Sequence, residues 1–214
     1  MGNPASLQIT GNMSISLWFK RSSLKTSSNY VLIGKDGVNA LTRAYMVQVN
    51  SVTNKVRFII WKSATAYVCE SSTVVTDDVW YHVLALNDGT DLKLYINGAL
   101  ETTNAGAGGT MDNGIIDFNI GRRDAGGNSG YWKGNIDEVG IWNSVINISD
   151  VWDGSGKPFD ISSSNPISWW RMGEESTYSN PGGSGNWTLT DQGSGGNDGT
   201  SSGMDENNRV LDTP

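Results

Sequence analysis

Apolar and polar residues alternate with a period of two along much of this chain, a rhythm that suits half-buried strands and not helices. Ile15, Leu17 and Phe19 fall on one side of a run, with Ser14 and Ser16 on the other. Tyr45, Val47 and Val49 alternate with Met46 and Gln48, and Val56, Phe58 and Ile60 flank Arg57. The pattern returns at Tyr81/Val83/Ala85, Leu92/Leu94/Ile96 and Ile116/Phe118/Ile120. Between runs stand Asn87-Asp88-Gly89, Asn97-Gly98 and Asn113-Gly114, residues that accept the positive φ of tight hairpin turns. Antiparallel hairpins and meanders follow, and no helical pattern separates the strands as a parallel βαβ sheet would need. The best helix candidate is a short turn over 148–152, with Ser149 as its cap.

With 214 residues, 27 of them glycine and only 17% charged, the chain has room for one large sandwich plus an appendage. The expected fold is all-β, an antiparallel two-sheet β-sandwich over residues 1–154. From about Ser155 the texture changes. Residues 176–203 hold eight Gly, six Ser and one Pro, too few apolar groups for a core of their own. Residues 155–214 are therefore read as a Gly/Ser-rich extension lying on the sandwich or on a neighbour. Its strand-like segment 166–172, Pro166-Ile167-Ser168-Trp169-Trp170-Arg171-Met172, is the expected docking element. Adjacent tryptophans on a strand point to opposite faces, so at least one must be covered.

The net charge of −7 is uneven: residues 155–214 carry eight acids against three bases. No basic cluster exceeds the pairs Lys20-Arg21 and Arg122-Arg123, which excludes a nucleic-acid partner, since phosphates need a basic face. The single cysteine, Cys69, excludes an internal disulfide and a thiolate metal cluster, and its strand-like surroundings predict a buried structural thiol. No run reaches the roughly 18 apolar residues of a membrane span. The first residues, Met1-Gly2-Asn3-Pro4-Ala5-Ser6-Leu7, lack the basic and apolar regions of a signal peptide. The expectation is a chain not exported by its own signal, a mature product or a fragment; a virus particle assembled inside its host needs no signal.

Met13-Ser14-Ile15-Ser16-Leu17-Trp18-Phe19-Lys20, Ile33-Gly34-Lys35-Asp36-Gly37, Trp80-Tyr81-His82-Val83, Leu94-Tyr95-Ile96-Asn97-Gly98 and Gly134-Asn135-Ile136-Asp137-Glu138-Val139, in that order, closely resemble the laminin-G-like, concanavalin A-like family over residues 13–152. The resemblance implies two antiparallel sheets around one core, in the jelly-roll arrangement of that family. It also implies a strand ahead of Leu7, which this chain lacks; the segment 167–172, from this chain or a neighbouring one, is expected to pair there and close the exposed edge. The tail motifs Trp169-Trp170-Arg171-Met172-Gly173-Glu174, Gly195-Gly196-Asn197-Asp198-Gly199-Thr200 and Leu211-Asp212-Thr213-Pro214 are similar to segments that follow such domains in marine bacteriophage proteins.

Glycoside hydrolases on this fold place two carboxylates on alternate residues of one strand, about 5 Å apart. None of the six glutamates forms such a Glu-x-Asp pair, Asp137 and Glu138 are expected on opposite faces, and His82 has no Ser or Cys motif beside it. The chain is read as no enzyme. The resemblance implies that Asp137 holds a calcium ion with carbonyls and water; the alternative is that Asp137 accepts hydrogen bonds from a neighbouring loop. A second rim calcium site of neurexin-type relatives would need an aspartate at the Ala44-Tyr45 position, where none stands. For ligands, the loop 122–132 offers Arg122, Asp124 and Trp132 to stack on a sugar ring and bond its hydroxyls, against the plainer reading of a hairpin loop with Trp132 folded into the core edge.

Two functions follow. The first is a non-catalytic structural or adhesion component of a virion, on its surface, self-associating as a homo-oligomer through 166–172 and binding surface glycans. The second is a carbohydrate- or protein-binding adhesion module of an extracellular bacterial protein.

Overall fold

The computed structural model describes residues 1–22, 30–123, 130–210 and 214. Its strands are β1 (Met13–Arg21), β2 (Tyr30–Asp36), β3 (Arg43–Val49), β4 (Lys55–Lys62), β5 (Thr65–Val74), β6 (Trp80–Asn87), β7 (Leu92–Ile96), β8 (Ala99–Asn104), β9 (Asn119–Ile120) and β10 (Gly134–Trp142). The tail adds β11 (Ser168–Trp170), β12 (Ser176–Tyr178), β13 (Trp187–Leu189) and β14 (Gly199–Thr200). Six strands in the order β11-β10-β1-β6-β7-β8 face five in the order β5-β4-β3-β2-β9, and β12-β13-β14 form a small separate sheet. The described pairings are all antiparallel. The fold is thus an all-β sandwich without α-helix among the described residues.

The alternation explains the core directly. Ile15, Leu17 and Phe19 of β1, Val83 and Ala85 of β6, and Leu92 and Leu94 of β7 are all fully buried against Val47, Val49, Phe58 and Ile60 of the opposite sheet. Burying each large aliphatic or aromatic side chain stabilises by about 1.5–3 kcal/mol. Cys69 is 1% exposed within this core. Over β1 and β6 the opposite face of the six-stranded sheet is covered as well. Leu84 and Leu86 are covered by Trp142, Ile146, Val151, Ile161 and Trp169. Ser14 and Ser16, on that face, are buried too. Ser14 Oγ donates to the Ser144 carbonyl at 2.6 Å and accepts from Ile146 N at 3.1 Å. Two sequence expectations shift. The 116–120 alternation yields only the two-residue β9, although Phe118 is buried and Ile120 packs on the main core as the alternation requires. The turn at Ile148–Asp150 is capped by Asn147 with Asp150, not by Ser149.

The margins of the sandwich matter most for the site. Along one, Glu101 of β8 reaches across to β5: its carboxylate accepts from the Ser72 and Thr73 backbone at 2.9 and 2.8 Å and from both hydroxyls. Along the other, β11 pairs with β10 in the register Val139↔Trp170, Gly140↔Trp169, Ile141↔Ser168, so the tail segment forms a ladder with its own chain's sheet. Its two tryptophans diverge: Trp170 enters the main core and stacks on Phe118 with centroids 5.5 Å apart, while Trp169 joins the outer cluster. The outer side of β11 is occupied as well. Trp169 N donates to Asp191 Oδ1 at 2.8 Å, and the Trp169 and Ile167 carbonyls accept from Gln192 N and Gly195 N at 2.8 and 2.6 Å. A sheet edge so blocked offers no backbone to a neighbouring chain.

Candidate functional site

β10 does not run regularly against β1. The register passes from Ser16↔Gly140 to Trp18↔Asp137, so Glu138 and Val139 together stand opposite Leu17. This is a β-bulge, and Glu138 takes the left-handed conformation it needs, with φ of 50°. The bulge moves the strand's inward face by one residue: Ile136 and Val139, three apart, both pack on the core. Asp137 and Glu138 between them both turn outward. The expectation that they face opposite sides is therefore corrected; it assumed an unbroken period of two.

Glu174, from the turn after β11, joins them, and oxygen atoms of the three carboxyls lie within 4.8 Å of one another. Asp137 and Glu138 are 9% and 7% exposed, and Glu174 is the most open of the three. Glu138 is tightly held: Oε2 accepts from Trp169 Nε1 at 2.6 Å and Oε1 from Arg171 Nε at 3.1 Å. Asp137 Oδ1 accepts from Glu138 N at 2.9 Å. Burial, then the charges of Glu138 and Glu174, push the Asp137 carboxyl up to about 7. Burial also raises Glu138, against the opposing hydrogen bonds from Trp169 and Arg171. Arg171, whose guanidinium also lies over the Trp169 ring at 5.3 Å, is among the described residues the one cation paired with these three acids. An all-oxygen donor set with surplus negative charge, partly withdrawn from water, suits a hard cation such as calcium, and Asp137 and Glu174 keep oxygens free for it. Carbonyls and water would complete the shell.

Of the expected sugar-binding residues, Trp132 stands beside Arg122, its N–H donating to the Gly121 carbonyl at 2.7 Å. Arg122 is half-buried in the turn after β9. Asp124 lies outside the described residues. Trp132 packs edge-on against Phe19 and Tyr30, centroids 5.5 and 6.3 Å away, and its Nε1 donates to the Asn135 carbonyl at 3.1 Å. Its ring is thus half spent on the core edge, the plainer of the two sequence readings. The neighbouring Arg123 donates to the Gly37 carbonyl at 2.7 Å and pairs with the buried Asp36.

His82 does have a serine beside it, Ser16, with Nε2 and Oγ 2.8 Å apart. Yet the pair is sealed: His82 is fully buried between Trp18 and Trp152, at 5.2 and 5.4 Å, and burial lowers its pKa to about 3. A neutral imidazole without access to solvent or an acid partner has no route to a substrate. Glu138 and Glu174 were missed by sequence reasoning. The three-residue step between Ile136 and Val139 signals the bulge, but Glu174 is brought in from the tail by β11, which no local pattern announces.

Residues 2–152 match the concanavalin A-like lectin/glucanases superfamily, in its laminin-G-like form, and the chain belongs to it. Among solved structures, a candidate carbohydrate-binding protein from Bacteroides ovatus superposes with a TM-score of 0.66 at 16% identity, covering 93% of this chain and 54% of that one. The present chain thus spans about half the length of that protein. The carbohydrate-binding module of a Ruminococcus gnavus sialidase, bound to α2,3-sialyllactose, gives 0.54 at 14% identity over 70% of this chain and 89% of the module. Domain 4 of an extracellular arabinanase from Geobacillus stearothermophilus, bound to arabinotriose, gives 0.52 at 21% identity, covering 68% of this chain and 67% of that domain. No curated protein matches by sequence. No helix among the described residues is long and apolar enough to cross a membrane.

Proposed function

We propose that the chain is a non-catalytic carbohydrate-binding module of an extracellular bacterial protein, with a calcium ion held by Asp137, Glu138 and Glu174. The observation that carries this reading is the arrangement of its acids. Both oxygens of Glu138 are engaged by Trp169 and Arg171, so it is poorly placed as nucleophile or proton donor. The hollow of about 450 Å³ in the surface has no carboxylate in its lining. A hydrolase needs two acids flanking a bound sugar; a cation site needs them converged and held. Similarity to carbohydrate-binding proteins across most of the chain agrees with this. The virion reading, with copies joined through 166–172, has less support, since Trp169 and Trp170 are buried against their own chain. Calorimetric titration with a panel of oligosaccharides tests the proposal: saturable binding without release of shorter sugars is expected, and hydrolysis, or no binding across the panel, overturns it.

The calcium assignment has its own test. Calcium at about a hundred times its dissociation constant should stabilise the wild type by about 2.7 kcal/mol, roughly 5–10 °C in Tm for a chain of this size, and leave Asp137→Asn unmoved. Affinity should weaken below pH 7, because the Asp137 carboxyl, raised to about 7, must give up its proton. In chelator the order reverses. A carboxyl raised above its ordinary 3.8 contributes stability below that value and loses it as pH rises through about 7. Without calcium at pH 8, Asp137→Asn should therefore be the more stable protein. Equal melting of both proteins with and without calcium would remove the ion from the account.

A further inference from the structure

The hollow of about 450 Å³ lies at the end of the sandwich where β1 begins and β10 finishes, away from the turn that precedes Gly134. Three distant stretches meet there: the N-terminal residues 5–12, Asn143 just after β10, and the tail at Ile167 and 194–195. Its volume falls within the range of small-ligand sites. The lining has no charged residue. Its polar side chains, Ser6, Gln8, Thr10, Asn12, Asn143 and Ser194, are all hydroxyls or amides.

Some of these hold the walls together. Ser6 Oγ donates to Asn197 Oδ1 at 3.0 Å, and Gln8 is fixed between the Asn3 carbonyl and Asn113 Nδ2 at 3.2 and 3.1 Å. The remainder are uncommitted: the side chains of Thr10, Asn12 and Asn143 make no hydrogen bond among the described residues, and Asn12 and Asn143 are exposed. Ile9 and Ile167 give the lining an aliphatic part. A primary amide presents a donor and an acceptor side by side, the pattern that two neighbouring sugar hydroxyls present in return. An apolar patch beside it suits the C–H face of a pyranose or furanose ring. A carboxylated sugar would meet no cation here, and its charge would lose hydration without repayment.

We propose that this hollow is a binding site for a neutral oligosaccharide, with Asn12 and Asn143 bonding ring hydroxyls over Ile9 and Ile167. The inference rests on the carbohydrate-binding reading and names the site and the sugar class. It places recognition at the junction of the two ends of the chain, apart from Asp137, Glu138 and Glu174.

Gly11 makes the test clean. A Cβ built on it meets nothing within 4 Å, and its φ lies outside the left-handed region, so a side chain can be added there without strain. Gly11→Leu should fill the hollow and Asn143→Ala should remove a bonding group, both without changing Tm. The full chain is titrated with neutral xylo-, gluco-, galacto- and arabino-oligosaccharides, and with sialyllactose as the charged counterpart, by calorimetry and by amide chemical-shift mapping. A neutral sugar should bind, shift the amides of Thr10, Asn143 and Ser194, and bind at least tenfold more weakly to Gly11→Leu and about fivefold more weakly to Asn143→Ala, with chelator present or absent. If the wild type binds a sugar and both variants bind it equally, or if only sialyllactose binds, the hollow is wrong and the carbohydrate-binding reading stands. If the wild type binds none of these sugars, that reading itself fails.

Discussion

Trp170→Ala should lower the free energy of unfolding by about 4 kcal/mol, read from urea denaturation midpoints at unchanged m-value. The residue comes from a tail whose composition promises little, yet it is fully buried in the main core. Its ring stacks on Phe118 at 5.5 Å and 16°, closing the margin between the two sheets, and its Nε1 donates to the Asn197 carbonyl at 2.9 Å. Truncation removes the largest apolar surface at this margin, leaves a cavity that rigid strands cannot collapse, and orphans a buried acceptor. Trp170→Phe keeps the stack and loses the hydrogen bond, so its cost should be about half. A shift below about 1 kcal/mol for the alanine variant would mean that the tail merely rests on the sandwich.

Asp191→Ala should cost about 3 kcal/mol, which is large for a residue outside any strand. Its carboxylate accepts three backbone N–H groups: Oδ1 from Trp169 and Gly193, both at 2.8 Å, and Oδ2 from Asn197 at 2.7 Å. At 9% exposure there is little water to replace it. Alanine would leave the Trp169 and Asn197 amides buried and unpaired, and would uncover the outer side of β11. Asn restores an acceptor on one side only and should recover about half of the loss. Hydrogen exchange provides the local measurement, with the Trp169 and Asn197 amides exchanging much faster in Asp191→Ala while β4 and β6 stay protected. Uniform protection across the chain would contradict this role. The two alanine substitutions act on one segment, so their costs should not add.

How far the sequence could be read follows from which interactions are local. The sandwich strands were legible because each has one face on the main core, and a face repeats every second residue; Ile15, Leu17 and Phe19 needed nothing else to be placed. The other side was not legible. Ser14 and Ser16 look like a solvated face, and only the path of residues 143–169 across the sheet turns them into buried hydrogen-bonding groups. The acid cluster was half legible: Asp137 stood out by resemblance, whereas the bulge that swings Glu138 round to it depends on the β1–β10 register. Glu174 depends on β11 docking, a contact between distant parts of the chain. For the tail, composition was misleading, since two tryptophans and one aspartate do more for cohesion than its many glycines and serines do against it.

The cap on β11 also governs the order of events during synthesis. The six-stranded sheet lacks its last member until residues 168–170 have left the ribosome, and that member is not secured until Asp191 and Asn197 follow. Ser6 then meets Asn197 across 191 positions of sequence. Such long-range closure slows maturation and leaves β10 with an unpaired flank meanwhile. Nascent chains stalled before residue 166 are therefore the species on which a chaperone, or another half-made copy, will find something to hold.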